Sequence, residues 1–211
     1  PIVWVIEIFS NRIARPISKK FSREEVIMTA EMGANEGSIH KKESTIIKNL
    51  LMLNNMYVLD IMTPRTVMFA LEASMTVSEV AQIHKPIRYS RIPVYNDSLD
   101  TIIGMTHRYR ILEALSNDQH NLRISEITVP IATISEQTTV ALLLDEFIKK
   151  KEHLALAADE YGVITGLVSL EDAIETLLGV EIVDEFDSVA DLRQFALEQW
   201  QNRKAQVRLQ K

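Results

Sequence analysis

Apolar positions follow two regimes along the chain. Ser22 followed by Glu25 has the S-x-x-E spacing of a capping box, which opens a helix through Asn35 that Gly37 stops. A second helix is predicted from Lys41 to Asn54, with Ile46, Ile47, Leu50, Leu51 and Leu53 on its apolar side. From Tyr57 onward the pattern changes to short β-branched runs separated by amphipathic helices, an α/β or α+β arrangement.

The two ends read differently. Ile2, Val3, Trp4, Val5, Ile6, Ile8 and Phe9 precede Arg12, Arg15, Lys19 and Lys20. The stretch is too short to cross a bilayer, and its apolar-then-basic order reverses that of a secretory signal. It fits the end of a membrane region with its cytosolic flank, or an amphipathic helix packed on the domain. The absence of an initiator Met points to a fragment or a processed chain. At the other end, Leu192, Phe195, Ala196 and Trp200 at helical spacing precede Arg203, Lys204, Arg208 and Lys211. That is an amphipathic helix with a basic end, suited to a partner or lipid headgroups, or simply a terminal helix.

Between these ends the chain repeats itself. With an offset of 62 residues, Gly104 falls on Gly166, Ile92 on Leu154, Val94 on Leu156, Asp97 on Asp159, Glu113 on Glu175 and Leu115 on Leu177. Upstream, Thr76-Val77 matches Thr139-Val140 and Pro64 matches Pro130, after small changes of offset. Each unit reads as a short strand after a Pro, a helix, a strand, a turn, a strand with a Gly and a final helix. A three-stranded sheet this small cannot cover both its faces, so the two copies are expected to pack face to face.

Composition narrows the chemistry. With 211 residues, 46% hydrophobic and 25% charged, the chain is neither disordered nor collagen-like. No Cys is present, which removes disulfides, thiolate metal sites and Cys nucleophiles. A net charge of −6 argues against nucleic acid as a partner. No nucleophile elbow, phosphate-binding P-loop or dinucleotide fingerprint occurs, so no catalytic residue is assigned. His40, His84, His107, His120 and His153 lack ligand spacing, and Glu181, Asp184, Glu185 and Asp187 read as a solvated acidic turn, so no metal site is assigned.

The sharpest chemistry lies in Gly166-Leu167-Val168-Ser169-Leu170-Glu171-Asp172. Gly166 is expected to end a strand at a point where a bound group must approach the backbone. Ser169, near a helix N-terminus, offers a hydroxyl and free N–H groups to phosphate. Asp172, one turn on, can accept hydrogen bonds from a ribose diol. The competing reading is that Ser169 and Asp172 simply cap the helix. In the first repeat His107 replaces Ser169 and Arg110 replaces Asp172. A guanidinium accepts no hydrogen bond, so at most one nucleoside site per chain is expected. The His107, Arg108 and Arg110 cluster is either positive charge for phosphates or a solvated helix face. Glu160-Tyr161-Gly162 reads as a structural hairpin turn, with Gly162 supplying the unusual backbone angle.

Four segments together resemble a tandem CBS-domain pair, or Bateman module: Asp60-Ile61-Met62-Thr63-Pro64-Arg65, Arg91-Ile92-Pro93-Val94-Tyr95, Ala158-Asp159-Glu160-Tyr161-Gly162 and the Gly166 to Asp172 stretch. More narrowly they resemble the pair of the CorC/CNNM family, also called haemolysin-like or TlyC-like proteins. The resemblance implies an α+β fold of two β-α-β-β-α repeats packed sheet to sheet behind a helical linker. It divides the chain into a juxtamembrane segment (1–20), the linker (21–55), a first repeat (56–118), a second repeat (119–180) and an acidic turn with a C-terminal helix (181–211). It further implies a non-enzymatic, cytosolic regulatory region of a Mg²⁺/Co²⁺ efflux protein, at the cytoplasmic face of the membrane. The expected partners are a second copy of the chain and the protein's own transmembrane domain, and the expected ligand is ATP or AMP with Mg²⁺. Adenine would enter an apolar slot near Thr133, Ile134 and Ala157, above Ser169, Asp172 and Gly166. Arg91 would serve as a phosphate partner, or otherwise form a surface ion pair. The alternative is a dimerisation module with no working nucleotide site.

Overall fold

The computed structural model describes residues 21–180, so the expectations for residues 1–20 and 181–211 lie outside it. Contacts divide the chain after Lys48. In the first unit, helix α1 (Arg23–Asn35) starts as its sequence requires: the Ser22 hydroxyl accepts from the Glu25 N–H at 3.2 Å, and the Glu25 carboxylate accepts from the Ser22 N–H at 3.0 Å. Gly37 takes a positive φ of 79° and ends the turn after it. Helix α2 (Lys41–Met52) follows and runs on into the second unit. Its last turn tightens into a 3₁₀ helix, Leu53–Asn55.

The second unit holds both repeats. After a short α3 (Val58–Ile61) and a two-residue β1 (Thr63–Pro64), the first repeat runs β2 (Leu71–Glu72), α4 (Val77–Ile83), β3 (Arg91–Asn96), β4 (Ser98–His107) and α5 (Arg108–Ser116). A 3₁₀ turn, Ile124–Ile127, leads to β5 (Ala132–Ser135), α6 (Val140–Lys150), β6 (Leu154–Ala158), β7 (Ile164–Ser169) and α7 (Leu170–Leu178). This is the expected β-α-β-β-α order, twice. Thr76 and Thr139, matched in the sequence, occupy the N-caps of α4 and α6.

The repeats are not self-contained. One sheet has the order β2-β3-β4, but the other is β1-β7-β6-β5, so the strand that opens the first repeat, ahead of its own sheet, pairs with the last strand of the second. The reciprocal crossing is an isolated bridge between Val129, ahead of the second repeat's first strand, and Met105 of β4. The cores are exchanged in the same way. Leu53, Val58, Ile61 and Met62 lie in one core with Val140, Leu143, Phe147, Ala157, Val168 and Ala173. Ile124 joins Leu71, Val77, Val80, Ile92, Val94 and Ile111 in the other.

These crossings explain the paired glycines. A Cβ on Gly166 would sit 2.6 Å from the Thr63 carbonyl oxygen and 2.8 Å from Met62 Sδ, and one on Gly104 would sit 2.3 Å from the Val129 carbonyl oxygen. The close approach at Gly166, which lies inside β7 and not at its end, is therefore made by the chain's own backbone and not by the bound group expected there.

One detail of the repeat alignment is corrected. Val94 faces Gly104, whereas Ala157 faces Gly166, so the hairpin between β3 and β4 is one residue longer than that between β6 and β7. The true counterparts of Arg91 and Val94 are Leu154 and Ala157. The hairpin reading of Glu160 to Gly162 holds: Asp159 Oδ1 accepts from the N–H groups of Tyr161 and Val163, both at 2.9 Å, and Gly162 has φ 81°.

Candidate nucleotide site

Ser169 ends β7 in an extended conformation and is the N-cap of α7. Its hydroxyl accepts from the Asp172 N–H at 3.0 Å, while Asp172 Oδ2 accepts from the Ser169 N–H at 2.6 Å and from the Ser169 hydroxyl at 2.7 Å. The two residues expected to hold a nucleotide thus form a half-buried capping box. A carboxylate here is favoured by the positive end of the helix dipole, and the same dipole favours a phosphate. The arrangement can offer a carboxylate acceptor, a hydroxyl and first-turn N–H groups to one ligand.

Strand register sorts the remaining candidates. Paired residues share a face, and faces alternate along a strand. Thr133, Leu156 and Leu167 lie on one face, together with Leu154 and Ser169; Ile134, Ala157 and Gly166 lie on the other. Ala157 is wholly buried in the core beneath α6 and α7, and Ile134 packs against that core. The side chains expected to line one slot therefore point to opposite sides of the sheet. Thr133, which is exposed, shares the Ser169 face; Ile134 and Ala157 can offer a ligand on that face only their backbones. Leu156, not among the site residues expected from the sequence, belongs there and is 3% exposed. The faces turned from the helices thus carry buried Leu154, Leu156 and Pro93, as two sheets packed face to face require.

Arg91 is not on this sheet. It opens β3 of the other sheet and stands directly across from His107 of β4, with Arg110 one turn into α5. No salt bridge to Arg91 occurs among the described residues. His107 caps α5 without a side-chain bond, and its Nδ1 is buried with no partner. Partial burial, then the Arg91 and Arg110 charges, hold the His107 pKa below its ordinary value of 6.5. Protons then prefer the unfolded chain. The stability contributed by neutral His107 is present above about pH 6.5, the unfolded value, and is lost as the pH falls below it through the lower folded-state value. Unfolding midpoints measured between about pH 7.5 and pH 5 are expected to fall less for His107→Asn than for the native chain; superimposable profiles would overturn this assignment.

Arg108, grouped in the sequence with these cations, does something else. Its guanidinium donates to the carbonyls of Ile87 at 3.3 Å and Arg88 at 2.9 Å and to the Ser90 hydroxyl at 3.4 Å, strapping the segment before β3 to the start of α5. Among the described residues there is no cluster of three metal-ligating side chains and no helix long and apolar enough to cross a membrane.

Two exchanged β-α-β-β-α repeats define a tandem module, and the CBS-domain family profile matches residues 58–117 and 124–179, more than half of the chain, so this protein belongs to the CBS-domain family. The kinship read from the sequence with the CorC/CNNM branch holds as well. The fold is similar to the CBS domain of a bacterial CNNM/CorC family Mg²⁺ transporter, with 33% identity and a TM-score of 0.71, over 78% of this chain and 99% of that one. A structure of the CBS domain of the bacterial CNNM/CorC family Mg²⁺ transporter in complex with ATP matches with 34% identity and a TM-score of 0.62, over 65% of this chain and 98% of that one. A UPF0053 protein of Synechocystis sp. is 32% identical over 197 residues, 93% of this chain and 57% of the relative. The chain spans about half the length of the curated relatives it matches.

Proposed function

We propose that this chain is the regulatory CBS pair of a CorC/CNNM-like Mg²⁺/Co²⁺ transporter and binds an adenine nucleotide, ATP or AMP with Mg²⁺, at the Ser169 end of the second repeat. The observation that carries the reading is the convergence of the Ser169 hydroxyl, the Asp172 carboxylate and the N-terminus of α7 at one edge of the sheet. The ATP complex of a relative supports it. Asp172 anchors the ribose, Ser169 and the first-turn N–H groups hold phosphate, and adenine lies on the Thr133 and Leu156 face, where the backbones of Ile134 and Ala157 read its edge. The strand crossing at Gly166 fixes the floor of the site. Arg91 reaches the phosphates from the other sheet. Two chains form a homodimer through their CBS pairs at the cytoplasmic face of the membrane, attached to their own transmembrane domain, and the module does no chemistry on the nucleotide.

Calorimetric titration of the chain with ATP and AMP, each with and without Mg²⁺, tests this directly. Asp172→Ala is expected to weaken binding by about 10- to 100-fold, the worth of hydrogen bonds to a charged group. It also removes half of the capping box, so Asp172→Asn, which keeps an acceptor for the Ser169 N–H, separates loss of the ligand contact from loss of the cap. Nucleotide at about 100 times its dissociation constant should stabilise the fold by about 2.7 kcal/mol.

One observation favours the second reading, a dimerisation module: the capping box already satisfies Ser169, and Arg110 stands where the first repeat would need a carboxylate. A dimer by sedimentation that binds neither nucleotide at millimolar concentration would establish it over the first.

A further inference from the structure

Helix α7 carries the candidate site at its N-terminus, and its C-terminus is held by the linker. The Asn49 side-chain amide, near the end of α2, donates to the Leu177 carbonyl at 3.2 Å. That carbonyl belongs to the last turn of α7, where the helix offers it no partner of its own. Gly179, in the left-handed conformation with φ 66°, closes the helix by donating to the Glu175 carbonyl, and Asn49 takes the neighbouring position. Leu53, four residues after Asn49 and 2% exposed, lies in the same core as Ala173 in the middle of α7, and Leu177 packs against that core. The linker therefore holds α7 directly by one directional hydrogen bond, and shares with it the core in which Leu53 lies. A nine-residue helix is about 14 Å long and stiff over that length.

At its other end, the carboxylate assigned to the ribose already accepts two hydrogen bonds from Ser169. A ribose that donates to Asp172 shares the carboxylate that also holds the helix cap, so occupancy bears on the first turn of α7. We propose that α7 is a strut between the nucleotide end of the second repeat and linker helix α2, and that Asn49 is the positioning residue that couples them. The inference rests on the nucleotide reading above.

Hydrogen exchange of α2 in the full 211-residue chain, measured with and without ATP and Mg²⁺, reads the coupling, and calorimetry on the same samples reads binding. Asn49→Ala and Asn49→Ser remove the reach of the amide from a half-buried position; using both guards against one folding poorly. In the native chain ATP is expected to change exchange in the segment from Asn49 to Asn55 by about fivefold or more, the lower end of allosteric couplings. The variants are expected to bind ATP while the exchange change shrinks towards onefold. ATP binding in all three proteins with equal exchange changes, or with none, overturns the strut and leaves the nucleotide reading intact. Absence of ATP binding by the native chain overturns both.

Discussion

Gly104→Ala is expected to cost about 3 kcal/mol of folding stability, the upper end of the range for forced overpacking. The added methyl would lie 2.3 Å from the Val129 carbonyl oxygen and 2.7 Å from Thr128 Cγ2. A flexible side chain could retreat from such a contact, but the Val129 carbonyl cannot, because it accepts from the Met105 N–H at 2.8 Å while its own N–H donates to the Met105 carbonyl at 2.8 Å. Relief of the clash breaks this reciprocal pair, the only backbone bridge between β4 and the entry to the second repeat among the described residues. Ile124 enters the first core a few residues upstream of the same crossing, so the damage reaches that core. Gly37→Ala is the control: its Cβ meets nothing within 4 Å, and only the positive φ opposes it, a cost of about 1–2 kcal/mol. Urea unfolding of both variants checks the pair. A Gly104→Ala midpoint no lower than that of Gly37→Ala would mean that the crossing is not required.

The crossing also marks where the sequence stops being legible. Capping residues announce their helices because cap chemistry is local: Ser22 with Glu25 forms the box that its spacing predicts. The repeat announces itself because Gly104 and Gly166 meet the same backbone demand in both copies. Nothing local shows that Thr63 and Pro64 leave the first repeat to pair with β7, since two residues carry no alternation to read. Strand β6 defeats the pattern in another way. All five residues from Leu154 to Ala158 are buried, so the strand has no polar face to fix its register, and an ungapped alignment slides by one without penalty. That single slip puts Leu154 opposite Ile92 instead of Arg91. The same absence of alternation hides which face Ala157 occupies, and so puts Thr133 and Ala157 in one slot although the sheet separates them. For Ser169 and Asp172 the spacing supports two roles at once, capping and ligand binding, and the structure forms the cap that both roles share.

Phe147→Ala is expected to be as damaging, at about 3–5 kcal/mol. Phe147 is 2% exposed on the inner side of α6 and packs in a core that also contains Leu53, Val58, Ile61 and Met62, all of which precede the first repeat's own sheet. Truncation leaves a cavity bounded by two stretches of chain far apart in sequence, neither of which can close it without pulling β1 off β7. On the same helix Leu142 is 57% exposed, and Leu142→Ala should change stability by less than about 0.5 kcal/mol. The contrast tests burial with helix propensity held nearly constant. Leu53→Ala extends the argument to the linker, with an expected cost of about 2–5 kcal/mol. Leu53 lies outside the matched family segment, which starts at residue 58, yet it is as buried as Phe147. If Leu53→Ala unfolds at the native midpoint while Phe147→Ala does not, the linker is a detachable lead-in. If both fall together, the second repeat folds around the linker, and a change at the Ser169 edge of that repeat cannot avoid acting on the helix that leaves it.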